Sequence, residues 1–248
     1  MPEGDTLRRT ADALRGRLLG KEISQARPDF LKRVEGTTVT SIEANGKHLL
    51  IGFDSGLVLH SHLRMTGSWH LYKPGEAWRK PARLATAVLA GADAVAVLFS
   101  APTAELVRSK DAVHELAHLG PDMLAPELDL TEILRRARSS PRQALGELLL
   151  DQRVAAGIGN IHKCEALWRL RLDPWRPASD LSDAELGALF QEARTGLQAG
   201  VRGIVRPAVA GRAGRSCPRC SHRIQCVLQG APPRFTYYCP TCQTGVLR

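Results

Sequence analysis

Apolar residues first recur at helical spacing close to the N-terminus, where Leu7, Ala11, Leu14 and Leu18 share one face. That spacing predicts an amphipathic helix directly after the opening residues, capped by Asp5 and stopped by Gly20. Between 38 and 99 the pattern shortens to β-rich runs separated by turn residues, at 39–42, 48–53, 57–60, 68–72, 84–89 and 94–99. Gly91-Ala92-Asp93 marks a hairpin between the last two. These runs predict a β-sandwich or flattened barrel carrying the N-terminal helix. Around Leu119-Gly120-Pro121-Asp122 the chain reads as a crossover, followed by helical patterns at 130–139, 141–149, 161–170 and 182–199. The expected fold is therefore α+β and multidomain. A β-sandwich spans 1–118, a helical part 119–210, and a small C-terminal ribbon 211–248.

Composition changes this picture in two places. No apolar run approaches the ~20 residues of a membrane span, and the polar start lacks a signal-peptide core. A soluble, cytoplasmic, monomeric protein with no membrane partner is expected. The formal charge of +9 is unevenly spread: from position 201 onward there are eight arginines and no Lys, Asp or Glu, leaving 26 basic against 25 acidic residues in the first 200. A purely cationic segment repels itself unless it meets a polyanion, and nucleic-acid phosphate is the commonest one. A merely solvated basic tail is the competing reading.

Four of the six cysteines, Cys217, Cys220, Cys239 and Cys242, form C-x2-C-x18-C-x2-C. Each pair fits one tight turn, and four thiolates suit one structural Zn2+ with no open position for chemistry. Two disulfides are the alternative, disfavoured in a chain with no export signal. Cys164 and Cys226 fall outside the pattern and read as ordinary thiols.

Two further stretches carry candidate chemistry. In Met1-Pro2-Glu3-Gly4, removal of Met1 would expose a secondary amine beside a carboxylate. An α-amino group titrates near ~8 against ~10.4 for lysine, so far more of it is neutral and nucleophilic at neutral pH. The plainer reading is a proline that only permits methionine removal. In Gly157-Ile158-Gly159-Asn160, both glycines can take positive φ in a tight turn between two helices, with Asn160 standing where the second needs an N-cap. Such a helix start exposes N–H groups that a phosphate can approach. A helical hairpin without a ligand is the alternative.

Taken together, four blocks in order resemble the formamidopyrimidine-DNA glycosylase and endonuclease VIII family of base-excision repair enzymes. They are Met1 to Gly4, Gly46-Lys47-His48-Leu49-Leu50, the stretch 149–161, and Arg234 with Tyr237-Tyr238-Cys239-Pro240-Thr241-Cys242-Gln243. The resemblance implies that Pro2 attacks C1′ of a damaged nucleotide, that Glu3 moves protons, and that Lys47 reaches the DNA at the lesion. It further implies phosphate contacts from Asn160 and Arg234, and a void-filling role for Met65 once the nucleotide is extruded. Glycosylase and AP lyase steps would share one imine, followed by β,δ-elimination. About 17 residues separate the last long helix from Cys217, too few for the long lid of the oxidised-purine enzymes. That shortness and the Pro-Glu-Gly start resemble endonuclease VIII, implying oxidised pyrimidines. Asp5-Thr6 stands where members often carry Pro-Glu, so the second N-terminal carboxylate is displaced or lost. An oxidised-purine glycosylase and a non-catalytic damaged-DNA binder are the remaining readings.

Overall fold

The computed structural model describes residues 2–244. They fall into two units: Pro2 with 6–118, and 3–5 with 119–244. The opening helix α1 (Gly4–Leu18) buries Leu7, Ala11, Leu14 and Leu18 to 1% exposure or less, the face set by their spacing. Each buried leucine contributes roughly 1.5–3 kcal/mol of apolar transfer. Gly20 follows at φ 71, a left-handed turn conformation suited to glycine. Asp5 lies inside the first turn rather than ahead of it, where a carboxylate still favours the helix dipole.

The first unit continues with β1 (Gln25–Arg27), β2 (Val39–Asn45), β3 (His48–Phe53), β4 (Leu57–His62), β5 (Ser68–Tyr72), β6 (Ala85–Ala90), β7 (Val95–Phe99), β8 (Thr103–Arg108) and α2 (Ser109–Leu116). Two four-stranded antiparallel sheets result, ordered β1-β6-β7-β5 and β2-β3-β4-β8. Leu49, Ile51 and Leu59 from one sheet share a core with Leu89, Ala96 and Leu98 from the other and with the leucines of α1. The 91–93 turn joins β6 to β7, with Ala90 opposite Val95. Sequence patterning overlooked β1, β8 and α2. Of β8, Ala104 and Leu106 pack against the core, and its Thr-Ala-Glu-Leu composition lacks β-branched runs.

The second unit holds α3 (Leu130–Arg138), α4 (Leu145–Leu148), α5 (Asn160–Arg169) and α6 (Asp183–Val201), then a hairpin of β9 (Gln225–Gln229) and β10 (Arg234–Tyr238). Ile133, Leu148, Leu167, Leu189, Phe190 and Leu197 form its main core. Helix α6 begins with a reciprocal capping box between Ser182 and Glu185. The helix expected over 141–149 shrinks to one turn. Leu145 and Gly146 donate their amides to Arg176 and Pro174 carbonyls instead of extending the helix toward Pro141. Among the described residues no helix is long and apolar enough to cross a membrane.

Candidate catalytic and nucleic-acid-binding site

Gln152 builds the turn ahead of α5. Its side-chain amide donates to the carbonyls of Leu150 and Ile158, at 2.8 and 3.1 Å, and its oxygen accepts from Gly157 N–H at 3.0 Å. Gly157 takes φ 108, as its place in a tight turn requires. Gly159 does not; its φ of −119 is ordinary extended backbone. Glycine is needed there for space, because a Cβ would collide with the carboxyl group of Glu3. Gly4 approaches the same loop closely enough for its N–H to donate to the Gly157 carbonyl at 2.9 Å.

Glu3 therefore enters the open end of α5. Its carboxylate accepts from the N–H groups of Ile161 at 2.8 Å and His162 at 3.3 Å, while the residue is only 2% exposed. This corrects the expected cap. Asn160 is the first helical residue, Gly159 occupies the cap position without a side-chain bond, and the acid arrives from 158 residues away in sequence. A carboxylate at a helix N-terminus is held by two charge-assisted bonds and by the helix dipole. Freed from capping, Asn160 keeps a buried side-chain oxygen that has no partner among the described residues. A buried amide with spare hydrogen-bonding capacity is available to a ligand.

One turn further along α5, Lys163 is fully buried. Its ammonium donates to the Thr236 hydroxyl at 2.8 Å and the Phe235 carbonyl at 3.2 Å, tying α5 to β10, and burial draws its pKa below the usual lysine range. Arg234, exposed at the start of β10, shares a cavity of about 270 Å3 with Lys163, Arg153, Glu147, Asp151 and Gln229. Glu165, also on α5, gathers the N–H groups of Ala208, Val209 and Ala210 at 2.9 Å each, fixing the approach to the ribbon. None of these anchoring roles was evident from pattern. A lysine and a glutamate two positions apart on an amphipathic helix look like solvated surface.

The four spaced cysteines converge. Their sulfurs lie within 4.8 Å of one another, with Cys220 and Cys239 3.4 Å apart and Cys217 and Cys242 3.9 Å apart. Tetrahedral Zn–S bonds of ~2.3 Å would place sulfurs about 3.8 Å apart, so the cluster fits one metal ion. The outer contacts are also set: Trp168 Nε1 points to Cys217 Sγ at 3.4 Å, and Gln243 bridges the Cys239 amide and the Leu172 carbonyl. Cys164 stays outside, its thiol pushed up to about 11 by burial, as befits an inert packing residue. Cys226 pairs across the hairpin with Tyr237 and is also outside the cluster.

The remaining candidates belong to the first unit or open the chain. Pro2 is half-buried and immediately precedes Glu3, whereas Met1 lies outside the described residues. Lys47 stands on the turn between β2 and β3 beside Gly46, φ 56. Met65 is 63% exposed, which removes it from the core. It projects from a turn closed by Gly67 N–H to the Leu63 carbonyl at 2.8 Å, and a side chain at 67 would strike the Leu63 backbone. On β3 and β4, His48 Nδ1 and His60 Nε2 are 2.8 Å apart, and His60 Nδ1 is 3.2 Å from the Glu115 carboxylate. Burial and the neighbouring His62 and His60 pull His48 down to about 3. Burial and the charges of Arg64 and Lys47 pull His62 down to about 4.

Residues 1–102 match the family model described as formamidopyrimidine-DNA glycosylase N-terminal domain, and 119–207 match the formamidopyrimidine-DNA glycosylase H2TH domain. A probable endonuclease 8 of Streptomyces coelicolor is 39% identical over 99% of this chain and 95% of its own length. Endonuclease 8 of Salmonella agona is 34% identical over 98% of this chain and 100% of its own. Lactococcus lactis formamidopyrimidine-DNA glycosylase, solved with DNA containing an AP site, superposes with a TM-score of 0.85 over 97% of this chain and 99% of that one. At 23% identity it bears on the fold alone.

Proposed function

Because this chain belongs to the formamidopyrimidine-DNA glycosylase and endonuclease 8 family, we propose that Pro2 and Glu3 are its catalytic pair and that oxidised pyrimidines are its substrates. The protein is a DNA glycosylase with AP lyase activity, acting in base-excision repair. The observation that carries the residue assignment is the buried carboxylate of Glu3, fixed by two α5 N–H groups one residue after the proline. The carboxylate caps α5, and its place one residue after the proline also suits acid–base chemistry on a sugar.

In this reading Met1 is removed and the Pro2 nitrogen attacks C1′. The C1′–base bond breaks, and Glu3 protonates O4′ as the ring opens to an iminium. Loss of a C2′ proton then expels the 3′ phosphate, and a second elimination expels the 5′ phosphate. Hydrolysis of the remaining adduct regenerates the free amine. Lys47 contacts DNA at the lesion, Asn160 and Arg234 hold phosphates, and Met65 fills the space left by the extruded nucleotide. The exposure of Met65 supports its assignment. Zn2+ held by Cys217, Cys220, Cys239 and Cys242 would pin the ribbon that presents Arg234. We assign the protein to the cytoplasm, at the nucleoid, as a monomer whose three parts span 1–118, 119–210 and 211–248.

The short segment between α6 and Cys217 supports the pyrimidine branch. Single-turnover excision of thymine glycol and 8-oxoguanine from matched duplexes tests it. Faster removal of thymine glycol, with phosphates on both ends of the gap, is expected. A clear preference for the purine would reassign the branch, and binding without excision of either base would leave a damaged-DNA binder.

A further inference from the structure

Building on the assignment of Glu3 as the proton-transfer group, we propose that His162 is its positioning residue. Its imidazole lies between Glu3 and Asp5 and sets the orientation of the Glu3 carboxylate. All three residues are buried, at 2%, 5% and 4% exposure for Glu3, Asp5 and His162. His162 Nε2 lies 3.8 Å from Glu3 Oε2 and 3.7 Å from Asp5 Oδ1, so one ring nitrogen faces both acids.

The surrounding backbone is cut to hold this cluster. Gly196 and Gly200 lie one turn apart on α6. A Cβ at 196 would come within 2.9 Å of His162 Nδ1, and one at 200 would collide with the Asp5 carboxylate. Gly159 is bare where Glu3 passes. Three side-chain-free positions thus surround three buried polar groups, an arrangement that simple apolar packing does not call for. The backbone amides fix the Glu3 oxygens from the helix side, and His162, which supplies one of those amides, addresses Oε2 again through its ring. Asp5 is then the second N-terminal carboxylate of this chain. It acts on His162, and through it on Glu3.

The test combines a spectroscopic and a kinetic readout. In protein carrying 15N-labelled histidine, the His162 ring signals are expected to move in both Glu3→Gln and Asp5→Asn. Unchanged signals in both overturn the proposal whatever the activity of the enzyme. In single-turnover excision, His162→Leu should slow the chemical step about a hundredfold, the cost of a catalytic group misplaced by about an ångström. Affinity for the substrate duplex should stay within about twofold. His162→Gln, which keeps a donor near Nε2, should recover about tenfold of that loss. A wild-type rate in His162→Leu, or a loss that appears only as weaker binding or unfolding and is not rescued by Gln, contradicts a positioning role. Wild-type protein that excises nothing refutes the functional reading itself, and the ring signals still decide whether His162 is coupled to the two acids.

Discussion

Gly159→Ala separates two reasons for a glycine at this position, because its backbone, at φ −119 and ψ −168, imposes no penalty on a larger residue. Any effect must come from the space Glu3 occupies. The added methyl displaces the carboxylate from the N–H groups of Ile161 and His162. Hydrogen bonds to a charged group are worth about 1.5–3 kcal/mol each. Losing much of two such bonds while the acid stays buried should lower unfolding free energy by about 2–4 kcal/mol. The same displacement should slow single-turnover excision about a hundredfold. Urea denaturation and rapid-quench assays measure the two effects. Specificity of mechanism comes from a double-mutant cycle: in a Glu3→Ala background nothing remains to collide with, so Gly159→Ala should cost almost nothing further. Wild-type stability in the single mutant, or additive losses in the double, would refute the argument that Gly159 exists to admit Glu3.

Other consequences can be measured independently. Cys239→Ser should lose its stoichiometric zinc, read by elemental analysis, and at least tenfold in duplex affinity, while the sandwich unit keeps its own melting transition; retained metal would contradict the four-thiolate assignment. Arg234→Ala should weaken binding with unchanged base preference and a log–log salt slope shallower by about one, as expected for a lost phosphate contact. An altered lesion preference would mean that it reads the base. His48 and His62 are held near 3 and 4 when folded against an ordinary 6.5. The unfolded chain therefore binds protons that the native state refuses, so their contribution is complete above pH 6.5 and is lost as pH falls toward 3–4. His48→Leu should flatten the decline in unfolding free energy between pH 6.5 and 4.5, and an unaltered slope would count against buried neutral imidazoles.

Much of this architecture was legible because period and burial coincide. The leucines of α1, the 48–53 and 68–72 strands, and the cysteine spacing each encode one local geometry, which the structure reproduces. What was not legible depends on partners far away in sequence. Asn160 reads as a cap because its type and position suit one, yet the cap is Glu3, and no local rule predicts a bond spanning 158 positions. Gly159 looks like a turn glycine until the carboxylate beside it is seen. Helix 141–149 fails for the same reason, since its amides find carbonyls at 174 and 176. Buried Lys163, Glu165 and His162 occupy positions where a helix pattern suggests solvent, and only the hairpin, the 208–210 loop and the N-terminal acids explain their burial.

The central claim is that the nitrogen of a processed Pro2 bonds to the deoxyribose of a lesion. Borohydride trapping on abasic-site duplex, followed by intact-mass and peptide mass spectrometry, tests it most directly. The account predicts a one-to-one adduct on protein lacking Met1, with the sugar remnant mapped to Pro2 and the yield sharply reduced in Pro2→Gly. Absence of any adduct from Met1-processed protein, or an undiminished adduct carried by a lysine in the Pro2 variant, would contradict it.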